Sequence, residues 1–156
     1  RSFALLTQAA GRTGRGDKGG EVVVTCSSDH YAIRHAMAHD YKSFYSDEIK
    51  MRKATGYPPF SRLIGLMFDS TSTGKLEKAM YDLIEKSPKL PTGVTQLGPV
   101  PALIHKLRNR YRWKLILKGV NSKTLHEAAE IVEESVSSGI NVSIDVYPLG
   151  GFPFCF

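Results

Sequence analysis

Apolar positions recur along this chain with two different periods, and the change from one to the other divides it. Residues 2–10 (SFALLTQAA) read as a short helix, closed by the glycines of Gly11-Arg12-Thr13-Gly14-Arg15-Gly16. Residues 21–26 (EVVVTC) are a compact β-branched run and predict a short strand. Ser27, Ser28 and Asp29 then offer N-cap chemistry. From about residue 30 to 55, Ile33, Met37, Tyr41, Phe44 and Met51 recur at helical spacing and predict one long amphipathic helix. Gly56-Tyr57-Pro58-Pro59-Phe60 stops it, because the prolines remove donors and disfavour helix before them. A boundary falls there.

Beyond it the pattern alternates between strand and helix. Residues 62–68 (RLIGLMF) predict a strand apolar on both faces, and Leu76, Ala79, Met80 and Leu83 mark a helix over 75–86. Residues 94–97 predict a short strand entering Gly98-Pro99-Val100-Pro101, and 110–118 a strand with strict alternation. Leu125, Ala128, Ala129, Val132 and Val136 predict a helix over 123–137, and 142–146 a last strand. The order β-α-β-β-α-β predicts an α+β split βαβ, ferredoxin-like sandwich with both helices on one sheet face.

Composition adds limits. With 156 residues, 42% hydrophobic and 23% charged, the chain suits one domain or one domain with an appendage. No apolar run reaches the ~18 residues of a membrane span, so no membrane partner is expected. No basic-then-apolar secretory leader is visible, and the start at Arg1 rather than Met suggests a fragment. Two remote cysteines, Cys26 and Cys155, suit a reducing, cytoplasmic setting better than a disulfide framework.

Charge changes the picture more. The net charge is +6, and residues 102–119 carry Lys106, Arg108, Arg110, Arg112, Lys114 and Lys118 with no acid. A field concentrated in one stretch favours a polyanionic partner such as nucleic acid, against a merely solvated basic hairpin. On residues 110–118 the even positions are Arg110, Arg112, Lys114, Ile116 and Lys118, and the odd ones Tyr111, Trp113, Leu115 and Leu117. Alternation puts the cations on an outward face, about 7 Å apart, with the apolar set under the helices. His105, Lys106 and Arg108 extend the basic face into the preceding loop. Tyr111 and Trp113 could stack on bases if exposed; core positions are the better expectation.

The second candidate is Gln8-Ala9-Ala10-Gly11-Arg12-Thr13-Gly14-Arg15. Two arginines on a glycine-flanked turn can present paired forks to phosphate oxygens, and such groups can stabilise charge on a transferring γ-phosphoryl. A flexible arginine-glycine RNA-binding segment is the plainer alternative. The order Q-x-x-G-R-x-G-R resembles motif VI of superfamily 2 helicases. After it come Asp29-His30-Tyr31-Ala32-Ile33, His39-Asp40-Tyr41, Phe44-Tyr45, Glu48, Arg52, Gly56-Tyr57-Pro58-Pro59-Phe60-Ser61-Arg62, Leu97-Gly98-Pro99-Val100-Pro101, Arg110-Tyr111-Arg112-Trp113 and Ile144-Asp145-Val146. Over residues 2–148 this series resembles the C-terminal part of the primosomal replication-restart helicases, the PriA family.

The resemblance implies an ATP-dependent 3′-to-5′ DNA helicase that recognises stalled forks and promotes primosome assembly. It implies that residues 1–28 end a RecA-like lobe, 29–56 form a linking helix, 57–148 are an S10-like DNA-binding domain, and 149–156 are an atypical apolar tail. Arg12 and Arg15 would be the catalytic arginines facing ATP, with Gln8 and Gly11 in the same motif, and ATP and magnesium are the cofactors implied for the intact protein. Lys106, Arg108, Arg110, Arg112 and Lys114 would contact forked or single-stranded DNA. Single-strand-binding protein and primosome proteins are the implied partners. The chain lacks a G-K-[ST] phosphate loop, an acidic magnesium box and the family's zinc cysteines, so alone it is expected not to hydrolyse ATP. A free-standing ribosomal-type RNA-binding module is the principal alternative, and a small acylphosphatase-like enzyme a weaker one. His35 and His39 have metal-ligand spacing without an evident third ligand, and solvated histidines are the simpler reading. Cys26 is expected to pack within its strand.

Overall fold

The computed structural model describes residues 2–12, 21–26, 29–146 and 148. The chain divides into two units that meet at Thr55 and Gly56. The glycine-arginine stretch of residues 13–20, with Arg15, and the tail 149–156 lie outside the described residues, as do Ser27 and Ser28.

The first unit is helical: α1 (Ser2–Ala10), α2 (Tyr31–Met37) and α3 (Tyr41–Thr55). The single helix expected over 30–55 is two. Ala38 caps α2, His39 adopts a left-handed φ of 51°, and the His39 and Asp40 amides donate to the carbonyls of Ala36 (3.2 Å) and His35 (2.9 Å). That pair of bonds is a Schellman closure, and it satisfies the last carbonyls of α2. Asp40 then starts α3 by accepting from the Ser43 amide at 3.0 Å, and the hydrogen bonds from Ser43 hold its carboxyl below the usual range. The apolar period continued through this break and concealed it. The cap of α2 is also not at residues 27–29: His30 fills that role, its Nδ1 accepting from the Ala32 amide at 3.2 Å.

Residues 21–26 do not form a strand. A strand is completed by a neighbour's hydrogen bonds, and this β-branched run pairs with no described segment, leaving Val23 82% exposed. Cys26, expected to be packed, is exposed with it.

The second unit is a four-stranded antiparallel sheet with two helices: β1 (Arg62–Ser70), α4 (Thr73–Lys86), β2 (Val94–Leu107), β3 (Arg110–Gly119), α5 (Ser122–Glu134) and β4 (Asn141–Val146). The strand order is β2-β3-β1-β4, with every neighbouring pair antiparallel. This is the split βαβ connectivity that the alternation predicts: β3 lies between β1 and β2, and β1 between β3 and β4. Ser72 caps α4 and Asn121 caps α5, each side chain accepting a backbone amide of the first turn. Leu76, Ala79, Met80 and Leu83 of α4, and Leu125, Ala128, Ala129 and Val132 of α5, have the same i, i+3, i+4, i+7 spacing. Both stripes enter one cluster with Ile64, Leu66 and Phe68 of β1 and Trp113, Leu115 and Leu117 of β3. Both helices therefore cover one sheet face.

β2 is much longer than the four residues expected. The Gly98-Pro99-Val100-Pro101 segment continues the strand instead of ending it, with register shifts between Leu97 and Val100 and again between Pro101 and Lys106. Bulges accommodate residues that cannot keep the ladder, and Gly98 has a φ of 92° that a side chain would strain. A Cβ there would stand 2.9 Å from the Lys114 carbonyl oxygen of β3.

Candidate nucleic-acid interface

The basic cluster is carried by the hairpin of β2 and β3. Its tip is the two-residue turn Arg108-Asn109, both with positive φ (49° and 60°), as a type I′ hairpin requires. Strand pairing persists to the tip, Leu107 opposite Arg110 and Lys106 opposite Tyr111. Alternation along β3 sends Trp113, Leu115 and Leu117 into the core, with Trp113 only 7% exposed and set edge-on to Tyr81. Tyr111 packs half-buried against the same cluster.

The five cations named from sequence do not present one uniform outer row. Lys114 is buried at 9% exposure, and Ile116 beside it on the same face is buried too. The side of the sheet away from the helices is covered at its centre, where Pro148 also lies against Gly65. Alternation leads to the expectation of an outward Lys114; the structure places it buried on central strand β3.

Arg110 is tied to the fold. Its Nε donates to the Asp69 carboxylate of β1 and its guanidinium also reaches the Asp69 carbonyl at 3.3 Å. Asn141 of β4 donates to the other Asp69 carboxylate oxygen at 2.9 Å. One acid thus joins three strands at the same end of the sheet. Arg112 places Nε and one terminal nitrogen 3.1 and 3.0 Å from the Ile104 carbonyl oxygen, and so holds the bulged part of β2 with its fork. Both guanidiniums remain accessible at their edges but have structural roles.

Lys106 and Arg108 are different. Both are exposed; Lys106 Nζ lies 4.8 Å from the centre of the Tyr111 ring and 3.3 Å from its hydroxyl, a cation–π arrangement. Arg108 stands at the tip of the turn. The hairpin end therefore offers Lys106 and Arg108 outright, with Arg110 and Arg112 behind them. Sequence reasoning missed Asp69, the acid that neutralises part of this field, although it is the one acid in residues 62–70. It also missed Leu103 and Ile104, which sit 94% and 56% exposed beside the cations. Two apolar residues just beyond a proline-rich segment, inside an acid-free stretch, were the available signal.

In the first unit, Gln8 lies exposed on the last turn of α1, and Gly11 and Arg12 follow it, exposed, with the Arg12 amide bonded to the Ala9 carbonyl at 3.1 Å. Arg12 is thus presented on a tight helix-to-turn exit, while Arg15 is outside the described residues. His35 Nε2 lies 3.0 Å from the Asp47 carboxylate of α3, and His39 occupies the left-handed helix closure. Among the described residues no group of three or more His, Cys, Asp or Glu could hold a metal ion. No described helix is long and apolar enough to cross a membrane.

The C-terminal-domain model of primosomal protein N matches residues 53–149, which contain every strand and helix of the sheet unit and the basic hairpin. The chain belongs to the PriA family. Replication restart protein PriA of Synechocystis is 34% identical over 151 residues, 96% of this chain and 18% of that protein. The Treponema pallidum protein of the same name is 33% identical over 153 residues, 96% of this chain and 23% of its own length. That of Thermotoga maritima is 37% identical over 118 residues, 76% of this chain and 16% of the relative. The chain thus spans well under a third of these PriA relatives.

Proposed function

We propose that this chain is the C-terminal part of an ATP-dependent 3′-to-5′ DNA helicase that recognises stalled replication forks and promotes primosome assembly. Residues 57–148 are its S10-like DNA-binding domain, residues 29–56 link it to the motor, and residues 1–28 end a RecA-like lobe. The observation that carries the reading is the hairpin end, where Lys106 and Arg108 project with no acid in residues 102–119 and Arg110 and Arg112 stand behind them. Spaced guanidinium and ammonium groups on a rigid hairpin suit phosphates along a backbone. The names of the PriA relatives, which refer to replication restart, support DNA as the nucleic acid.

Arg12 and Arg15 would face the γ-phosphate of ATP in the intact protein, with Gln8 and Gly11 shaping the same turn. ATP with magnesium would supply phosphoryl-transfer energy there, and this chain's part is limited to presenting the arginines, since the sequence has no phosphate loop. Single-strand-binding protein and primosome proteins are the partners this reading names, in the cytoplasm where the chromosome is copied.

Titration of forked, single-stranded and fully paired DNA at two salt concentrations tests the reading. Binding whose logarithm falls linearly with the logarithm of salt, with a slope of several ions, is expected from counterion release. Absence of salt-sensitive binding to any of the three removes the DNA-binding assignment.

A further inference from the structure

The outer half of the β2–β3 hairpin combines two properties that a simple phosphate-binding arm does not need. After Ala102, buried at 9% exposure, the chain emerges and exposes Leu103 (94%), Ile104 (56%) and Leu107 (45%) in sequence with Lys106 and Arg108. A nearly fully hydrated leucine on an ordered strand forgoes the gain of burial within the fold. Leu103 and Ile104 stand in a held bulge. Strand pairing breaks off after Pro101 and resumes at Lys106 and Leu107, a positive-φ turn closes the hairpin, and the Arg112 fork pins the Ile104 carbonyl at 3.1 and 3.0 Å.

A fitting partner must be anionic and must also offer exposed apolar faces. Paired DNA offers phosphates and sugars while its base faces are stacked on one another. An unpaired strand, or the last base pair where a duplex opens, offers phosphates and a bare base face together. The absence of acid across residues 102–119 argues for the anion, and Leu103 and Ile104 for the bare base.

We infer that the hairpin end, residues 101–112, is a wedge that seats unpaired bases at a duplex-to-single-strand junction. Leu103 and Ile104 lie against the face of the first unpaired base or the last paired one. Leu107 extends that apolar contact toward the tip, and Lys106 and Arg108 hold the flanking phosphates. The inference rests on the DNA-binding reading and specifies which end of the sheet unit meets bases and which DNA structure it prefers.

The test uses the whole 156-residue chain with three DNAs: a fork carrying 2-aminopurine at its first unpaired position, a single strand and a blunt duplex. The double variant Leu103→Ser/Ile104→Ser is expected to lose roughly tenfold in affinity for the fork and the single strand, the scale of one lost base-face contact. It should keep the duplex affinity and the salt slope, and lose the 2-aminopurine signal change. Arg108→Ala should weaken all three DNAs and lower the salt slope by about one. Val120→Ser, which changes an equally bare apolar residue at the other end of β3, should alter none of these. All the changed residues are exposed, and unchanged thermal midpoints would confirm that each variant folds. The wedge is overturned if the double variant binds the fork and the single strand as the parent does, or if it weakens duplex binding equally. In the first case the wedge falls and the DNA-binding reading stands. If the parent chain binds none of the DNAs, that reading falls and the wedge falls with it.

Discussion

The sheet unit and the helical unit before it hold themselves together by different means. In the sheet unit, fourteen buried hydrophobic residues from β1, β3, α4 and α5 form one cluster, and Leu66, Phe68, Leu76, Met80, Leu83, Leu115 and Leu117 have no exposed surface. Among the described residues of the helical unit only Phe3, Ala32 and Ala36 are buried, while Val23, Met37, Tyr41 and Met51 stay more than half exposed. There, packing rests on rings and polar contacts: Phe3 stacks on Phe44 with centroids 4.4 Å apart and planes 16° apart. Tyr31 donates its hydroxyl proton to Glu48, which also accepts from Arg52 Nε at 2.7 Å. The contrast shows that an apolar period in a helix states which side wants burial and not whether burial is reached. Stability of the sheet unit should follow volume, and stability of the helical unit should follow polar geometry and pH.

The largest expected effect breaks the core of the sheet unit. Phe68→Ala removes a fully buried ring and should cost about 3–5 kcal/mol, as large-to-small core changes do. Trp113, the single tryptophan, lies in that cluster and makes its fluorescence a direct readout of denaturant unfolding there. Hydrogen exchange in α2 and α3 should be unaltered; parallel loss of protection in both units would show that they unfold as one.

Next in size is Gly98→Ala, which changes one methyl and no core volume. The φ of 92° strains any L side chain, and the added carbon would meet the Lys114 carbonyl oxygen at 2.9 Å. A loss of about 1–3 kcal/mol is expected from the backbone conformation alone. Because Gly98 sets the first register shift of β2, exchange protection should fall from Val100 toward the hairpin tip more than in β1 or β4. An unchanged midpoint would mean that the bulge relaxes freely.

These particular residues also show how far sequence can be read. The strand and helix periods of the sheet unit were legible because one helix stripe or one strand face maps onto one core, as Leu76-Ala79-Met80-Leu83 does. The topology followed, since few connections satisfy that order. Long-range closure was not legible. The β2 extension depends on bulges that let Pro99 and Pro101 stay in a strand, and the 21–26 run pairs with no described segment. The break at His39-Asp40 was readable in principle, as an Asp three residues before Ser43, but the apolar period ran across it. At the candidate interface, charge placement along the chain was legible and charge availability was not. Asp69 consumes part of Arg110, a carbonyl holds Arg112, and Lys114 is buried. Those facts belong to register and neighbours.

A smaller effect should separate the units by pH. Burial and the bond to Glu48 raise the Tyr31 hydroxyl pKa well above its usual value. Burial would raise Glu48, yet the bonds from Tyr31 and Arg52 outweigh it and hold the carboxyl low. A raised group adds stability that is present below its unfolded pKa and lost as pH rises toward the folded value. A lowered carboxyl adds stability present above its unfolded pKa and lost as pH falls through the folded one. Exchange protection in α2 and α3 should therefore weaken below the ordinary carboxylate range and again above about pH 10, the ordinary tyrosine value. Tyr31→Phe should cost about 1 kcal/mol near neutrality and remove the alkaline loss. If the alkaline loss persists in that variant, another group carries it.

The smallest effect on stability, and the sharpest use of the comparison, is at the hairpin tip. Arg110→Ala removes the guanidinium from Asp69, whose side chain is only 13% exposed, and should lower the midpoint of the sheet unit as well as DNA affinity. Arg108→Ala removes a side chain that projects from a turn whose backbone shape any replacement must still adopt, so its stability change should stay within about 0.5 kcal/mol. Its effect should be confined to DNA, as a salt slope reduced by about one. The two arginines lie two residues apart in one acid-free stretch and were indistinguishable in the charge map. If Arg108→Ala lowers the thermal midpoint as much as Arg110→Ala does, then both are structural, and the arm has no cation at its tip to spare for a phosphate. If only Arg110→Ala lowers it while both weaken DNA binding, the hairpin divides its charge as the contacts imply, one arginine holding the sheet and the other reaching for the partner.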